Sequence, residues 1–112
     1  MARAQARLTQ AQETRRALEL DIGTQVRDVL GAWRTALSDA RAATRLVETD
    51  REALAAAETL YRAGKATALD VLSAQADLAR AEGAQVTALA DHAGAQARLA
   101  RLTGTPPPET QP

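Results

Sequence analysis

The sequence predicts an all-α fold, a long antiparallel coiled-coil hairpin of two helices with the first longer than the second. Three observations predict it. Small and apolar residues recur in an alternation of four and three, the spacing of a coiled-coil seam. No proline interrupts the chain from Ala2 to Ala63. Between Leu60 and Leu72 one helix stops and another starts within about four residues, the length of a tight helix–helix turn.

The first helix is expected from about Gln5 to Ala63. Its seam runs through Ile22, Val26, Val29, Trp33, Ala36, Ala40, Ala43, Val47, Asp50, Leu54, Ala57 and Tyr61. A flanking stripe of Ala32, Leu46, Ala53 and Leu60 widens the apolar face, which implies more than one packing neighbour. Before Ile22 the alternation continues through Ala4, Leu8, Ala11, Arg15 and Leu18, with a stutter beside Gly23. Gly23 and Gly31 are the weak points of this stretch. A single helix of about 60 residues would be roughly 90 Å long.

The turn at residues 64–67 has its own chemistry. Gly64 takes the left-handed conformation cheaply and suits the position just past a helix end. Thr67 suits the N-cap of the next helix, its hydroxyl accepting from the backbone N–H of Asp70. Asp70 can reach back to the N–H of Thr67 and complete a capping box, with its charge favoured at the helix N-terminus. Ala66 and Val71 hold the staple positions, and Glu58 and Arg62 form a favourable i,i+4 pair before the turn.

The second helix is expected from about Ala68 to Thr103, with a seam at Leu69, Leu72, Ala76, Ala79, Gly83, Val86, Ala90, Ala93, Ala97 and Ala100. Gly83 and Gly94 weaken it, so packing must hold it. Gly104 ends it, and Pro106-Pro107-Pro108 forbids continuation. Residues 105–112 read as a Pro-rich disordered tail. Folding the second seam onto the first pairs Tyr61 with Leu69, Leu54 with Ala76, Val47 with Gly83, Ala43 with Val86, Ala40 with Ala90 and Trp33 with Ala97. Asp50, opposite Ala79 with Arg51 and Arg80 nearby, reads as a register residue, and Gln85 as solvent-exposed. Thr103 then lies opposite Val26, and everything before Val26 overhangs without a partner.

Composition narrows the function classes. The 112 residues include no Phe, one Trp and one Tyr, and alanine dominates the apolar total. Alanine buries little area, so a hairpin of this kind is expected to be weakly folded by itself and to belong to a larger assembly. With 14 basic and 14 acidic residues the formal net charge is zero, which gives no field for nucleic acid. The absence of Cys excludes disulfide and thiolate chemistry. The longest apolar run, Ala53 to Ala57, is far below the roughly 20 residues of a membrane span, and no apolar stretch behind Met1 reads as a signal peptide.

No constellation of catalytic or metal-ligating residues is present. His92 is the single histidine and has no second ligand at helical spacing. Ser38 and Ser73 lack a nucleophile context, and Gly64-Lys65 lacks the glycine-rich turn of a phosphate loop. Arg3, Arg7, Arg15 and Arg16 fit a solvated helix face. The sequence therefore predicts no enzyme, no cofactor and no metal.

Tyr61-Arg62-Ala63-Gly64-Lys65-Ala66-Thr67-Ala68-Leu69-Asp70-Val71-Leu72-Ser73-Ala74-Gln75 resembles the periplasmic tip of TolC-like outer-membrane efflux proteins. There a Tyr/Phe-x-x-Gly turn precedes Thr/Ser-x-x-Asp-Val and a run ending in Ala-Gln. Leu99 to Gly104 is similar to the end of a repeat in that family, and the proline run after it suggests the second of two repeats. The resemblance implies a periplasmic tunnel segment of a homotrimeric outer-membrane channel for multidrug export or type I secretion. Its partners would be a periplasmic adaptor protein and an inner-membrane pump. It further implies that Ala63, Gly64, Lys65, Ala66 and Thr67 form the adaptor-docking tip. Tyr61 would act as a latch of the closed tip, and Asp70 as a carboxylate at the entrance. Two positions depart from the family: Ser73 stands for a second acidic residue, and Ala66 for an arginine.

Two alternatives use the same residues. An adaptor hairpin would carry Arg-x-x-x-Leu with Ser seven residues after the leucine; Leu60 and Thr67 fit loosely, but Ala56 holds the arginine position. A free-standing structural coiled coil needs no tip function.

Overall fold

A computed structural model describes residues 1–104; the expected tail, residues 105–112, lies outside the described residues. Two helices make up the fold: α1, Ala2–Arg62, of 61 residues, and α2, Ala68–Thr103, of 36 residues. They pack against each other as an antiparallel hairpin, 94 Å along its longest axis. At 1.5 Å per residue α1 alone would be about 90 Å long, so it runs through Gly23 and Gly31 without a break. Thr9, Thr14, Thr24, Thr44, Thr49 and Thr59 each donate a hydroxyl to the carbonyl four residues back. That contact satisfies them inside a helix they would otherwise disfavour.

The face of α1 turned to α2 is the one its periodicity marks. Val26, Val29, Trp33, Ala36, Ala43, Asp50, Leu54 and Ala57 are half-buried, and Ala40 and Val47 are buried. Ile22 and Tyr61, the two ends of the expected seam, are exposed.

The face of α2 differs from the expectation and corrects it. Leu69, Leu72 and Val86 are 70%, 59% and 67% exposed, and Ala76, Ala79, Gly83, Ala90 and Ala93 are exposed with them. The residues that meet α1 are Val71, Ala74, Leu78, Ala81, Gln85, Ala88, His92, Ala95 and Leu99, a strict three–four alternation of its own. The expected pairings of Tyr61 with Leu69, Leu54 with Ala76, Val47 with Gly83, Ala43 with Val86 and Ala40 with Ala90 are therefore not the ones formed, while Ala97 and Ala100, at the far end of the expected seam, are half-buried. α2 carries two heptad stripes on different faces. The bulkier one, which includes Leu69, Leu72 and Val86, faces away from α1. The inner stripe contains Gln85 and His92, which a reading by apolar character passes over, and its many alanines accommodate Trp33, Val47 and Leu54 of α1.

Three contacts across the seam fix the register. The Trp33 and His92 rings lie 6.1 Å apart between centroids. Gln85 Nε2 donates to Thr44 Oγ1 at 3.3 Å, and Arg51 Nη2 lies 3.8 Å from Glu82 Oε1. The polar register contact is thus Thr44–Gln85 and not Asp50, and Gln85 is half-buried rather than exposed. Arg51 and Arg80 pair with Glu82 and Asp77.

Cohesion within the hairpin is slight. Among the described residues only Ala40, Val47, Ala81 and Ala95 are buried apolar residues, and three of those four offer a single methyl group. Before Gly23 every residue of α1 is exposed, Leu8, Leu18, Leu20 and Ile22 included. The end of α2 meets α1 where Arg98, Arg101 and Leu102 line a groove with Gln25, Asp28 and Val29.

Candidate docking tip

The tip is built from two helix caps placed back to back. α1 ends at Arg62; its C-cap, Ala63, is still right-handed (φ −81°), and Gly64 turns left-handed at φ 72°. Gly64 N–H donates to the Tyr61 carbonyl at 3.0 Å and Lys65 N–H to the Leu60 carbonyl at 2.8 Å. This nested pair is the Schellman motif, which closes the last turn through a residue that needs positive φ. A Cβ on Gly64 would touch nothing within 4 Å, so the demand for glycine is one of backbone angle and not of space.

α2 starts at once. Thr67 is extended (φ −90°, ψ 162°), its Oγ1 accepts from Asp70 N–H at 3.2 Å, and Asp70 Oδ2 accepts from Thr67 N–H at 2.9 Å. The capping box expected from Thr67-x-x-Asp70 is therefore formed, with a carboxylate in place of the commoner glutamate. The Thr67 backbone N–H, and after it the Thr67 hydroxyl, hold the Asp70 carboxyl below its ordinary value. Ala66 and Val71 are half-buried at the staple positions, and Arg62 Nη2 lies 3.7 Å from Glu58 Oε2.

Ala63, Gly64, Lys65, Thr67, Tyr61 and Asp70 are exposed; Ala66 alone is half-buried. The fold thus brings all seven residues to one end of the molecule. It leaves Tyr61 and Asp70 on the outside, with Asp70 engaged by Thr67 in the cap. Away from the tip, sequence reasoning missed His92. It has no metal-binding companion, yet it sits in the seam against Trp33, and the four-residue step from Ala88 was the signal available. Trp33 Nε1 and His92 Nε2 are both buried without a hydrogen-bond partner. No group of His, Cys, Asp or Glu that could hold a metal occurs among the described residues. No helix among them is long and apolar enough to cross a membrane.

The described residues form a two-helix rod with little core of its own, exposed apolar stripes and a tip capped at both helix ends. Residues 1–105 match the outer membrane efflux protein family, and the chain belongs to that family. It is a family of channel and transport proteins of the outer membrane, not of enzymes, whose members work with an adaptor and an inner-membrane pump. No curated protein and no solved structure matches the chain.

Proposed function

We propose that the chain is a periplasmic wall segment of the α-helical tunnel in a trimeric outer-membrane efflux channel, with its tip docking to the periplasmic adaptor. The observation that carries this reading is the outer stripe of α2. Leu69, Leu72 and Val86 continue a heptad pattern on a face that nothing among the described residues covers. A tunnel wall requires each helix to pack on both sides, and α1 matches with Ala32, Leu46, Ala53 and Leu60, all exposed. The tip supplies the second part of the reading. Its backbone is held by both caps, so the side chains of Ala63 and Lys65 are presented in a fixed geometry that favours docking. Asp70 faces the entrance, where three copies around the channel axis would form a ring of like charges that resists closure. Multidrug export and type I secretion are the transport classes that such a channel serves.

The test is export complementation together with adaptor crosslinking in the assembled channel. Gly64→Val forces a β-branched residue into the left-handed region and should reduce both readouts. Thr67→Ala should loosen the same loop at a cost of about 1 kcal/mol. Asp70→Asn should alter passage of cations while keeping part of the cap. Exposed Glu52→Gln serves as the control in place of Gln85, which lies in the seam. If Gly64→Val leaves export and crosslinking at wild-type levels while the trimer forms, the tip does not dock.

A further inference from the structure

Charge is sorted by side along one part of the hairpin. Arg27, Leu30, Arg34, Leu37 and Arg41 of α1 each stand one step after a seam residue, and so do Val86, Leu89 and Ala93 of α2. In an antiparallel pair, one step after the seam falls on the same side for both helices. From Arg27 to Arg45 on α1 and from Val86 to Ala100 on α2, the carboxylates are Asp28, Asp39 and Asp91. All three stand one step before a seam residue, on the opposite side. A chain of zero formal net charge therefore carries, over this part of one side, guanidiniums at intervals of about 10 Å and no carboxylate. None of Arg27, Arg34, Arg41 and Arg45 forms an ion pair among the described residues, whereas Arg15, Arg51, Arg62 and Arg80 do.

On that side the two helices leave a groove of about 400 Å³, the size of a small-molecule site. Leu37, Arg41 and Arg45 form its α1 wall and Leu89 its α2 wall, with Ala40 and His92 between them. Arg41 and Arg45 are four residues apart, so they emerge as neighbours on α1 and both forks reach a single acid group. The Thr44 hydroxyl, also in the groove, is already engaged: it donates to the Ala40 carbonyl at 2.9 Å and accepts from Gln85 at 3.3 Å. What the groove offers an occupant is two unpaired cations beside an apolar trough. The other grooves do not offer this. The one on the opposite side holds Asp39 and Asp91, and the one on the overhang is built by α1 alone, with its Arg15 paired to Glu19.

We propose that the Arg41–Arg45 groove is a binding site for a small amphiphilic anion, a carboxylate carried on an alkyl chain. The carboxylate lies on the two guanidiniums, and the chain lies along Leu37, Ala40 and Leu89. Arg34 and Arg27, further along the same side, add to the field that draws an anion there. Leu37 and Leu89 belong to different helices, so the occupant touches both and adds apolar contact to a seam made largely of alanine. Binding then holds the hairpin closed, because a ligand taken only by the folded form stabilises it as occupancy rises. The site goes beyond the wall-segment reading and does not need it, since one chain supplies every residue.

Decanoate is the probe, titrated into the full chain below its micelle concentration. His92 is the sole histidine, so its ring resonances report on the groove without ambiguity. Decanoate should shift them to saturation and raise the melting temperature followed by circular dichroism. Acetate carries the acid group alone, and decyltrimethylammonium carries the chain with the opposite charge. Each should bind at least about tenfold more weakly than decanoate. Arg41→Gln/Arg45→Gln should weaken decanoate binding by about tenfold or more, and added salt should act in the same direction. Leu89→Asp, at a position 49% exposed that tolerates a polar side chain, should weaken it comparably. Arg7→Gln/Arg15→Gln, on the overhang, should bind as the parent does. A parent without a saturable shift, equal binding of acetate or decyltrimethylammonium, or parent-like binding by either groove variant would each overturn the inference. Equal loss in Arg7→Gln/Arg15→Gln would overturn it too, because binding would then follow net charge and not this groove. None of these variants touches the tip, so the docking test with Gly64→Val is judged separately.

Discussion

Trp33 and His92, the sole tryptophan and the sole histidine of the chain, meet across the hairpin with ring centroids 6.1 Å apart and planes tilted by 38°. The contact joins residues far apart in sequence at one level of the seam, and it seals a ring nitrogen of each away from any protein partner.

Emission from Trp33 should therefore report hairpin closure. His92→Ala is expected to lower stability by about 1 kcal/mol and to shift that emission to the red as the indole is wetted. His92→Phe keeps the ring contact and removes an unsatisfied buried nitrogen, so it should be neutral or stabilising. Thermal melts followed by emission separate the two, and a wild-type melt for His92→Ala would show that the contact does not form in solution.

The Thr44–Gln85 hydrogen bond at 3.3 Å predicts which cysteines can meet. Thr44→Cys with Gln85→Cys should crosslink within one chain. Ala40→Cys with Ala90→Cys should not, because Ala90 lies on the exposed face of α2. The opposite outcome would restore the seam that apolar character alone suggests.

Gly64 and Gly83 both have open space where a Cβ would stand, yet substitution should act in opposite directions. Gly64→Ala forces alanine to φ 72° and should destabilise by about 1 kcal/mol. Gly83→Ala, inside α2 with helical backbone, should stabilise by about 0.5 to 1 kcal/mol. Melting temperatures of equal sign would contradict the assigned backbone angles.

The cap on α2 should depend on acid. Asp70 has its folded carboxyl held below the ordinary Asp value of 3.8, chiefly by the Thr67 backbone N–H. Its contribution is therefore complete above the unfolded value and is lost as the pH falls through the lower, folded one. The Thr67 amide resonance, followed by NMR, should move with the Asp70 carboxyl titration below pH 3.8. In Asp70→Asn that movement should vanish.

The hairpin, its turn and the inner face of α1 were legible because each rests on local chemistry or a long unambiguous repeat. Gly64, Thr67 and Asp70 form caps from residues within a few positions of one another, and Val26 to Ala57 offers one dominant stripe. The inner face of α2 was not legible. Two stripes with the same spacing compete there, and the bulkier residues, Leu69, Leu72 and Val86, serve the outside. Size misleads in α2, where the larger side chains stand outside and many small ones face the partner helix. His92 and Gln85 were hidden for the same reason, since polar residues in a seam are recognised by position and not by type. The docking, latch and entrance roles of the tip rest on resemblance, because geometry within one hairpin carries no trace of a partner.

At the tip, the work of holding the loop and the work of presenting it fall to different atoms. Backbone amides, the absent side chain of Gly64 and the pair Thr67–Asp70 do the holding. Lys65 and Ala63 take part only through their main chains. Their side chains can therefore be exchanged with the loop's shape intact, so a lineage carrying this hairpin can alter the character of its end by single substitutions while the frame beneath stays constant.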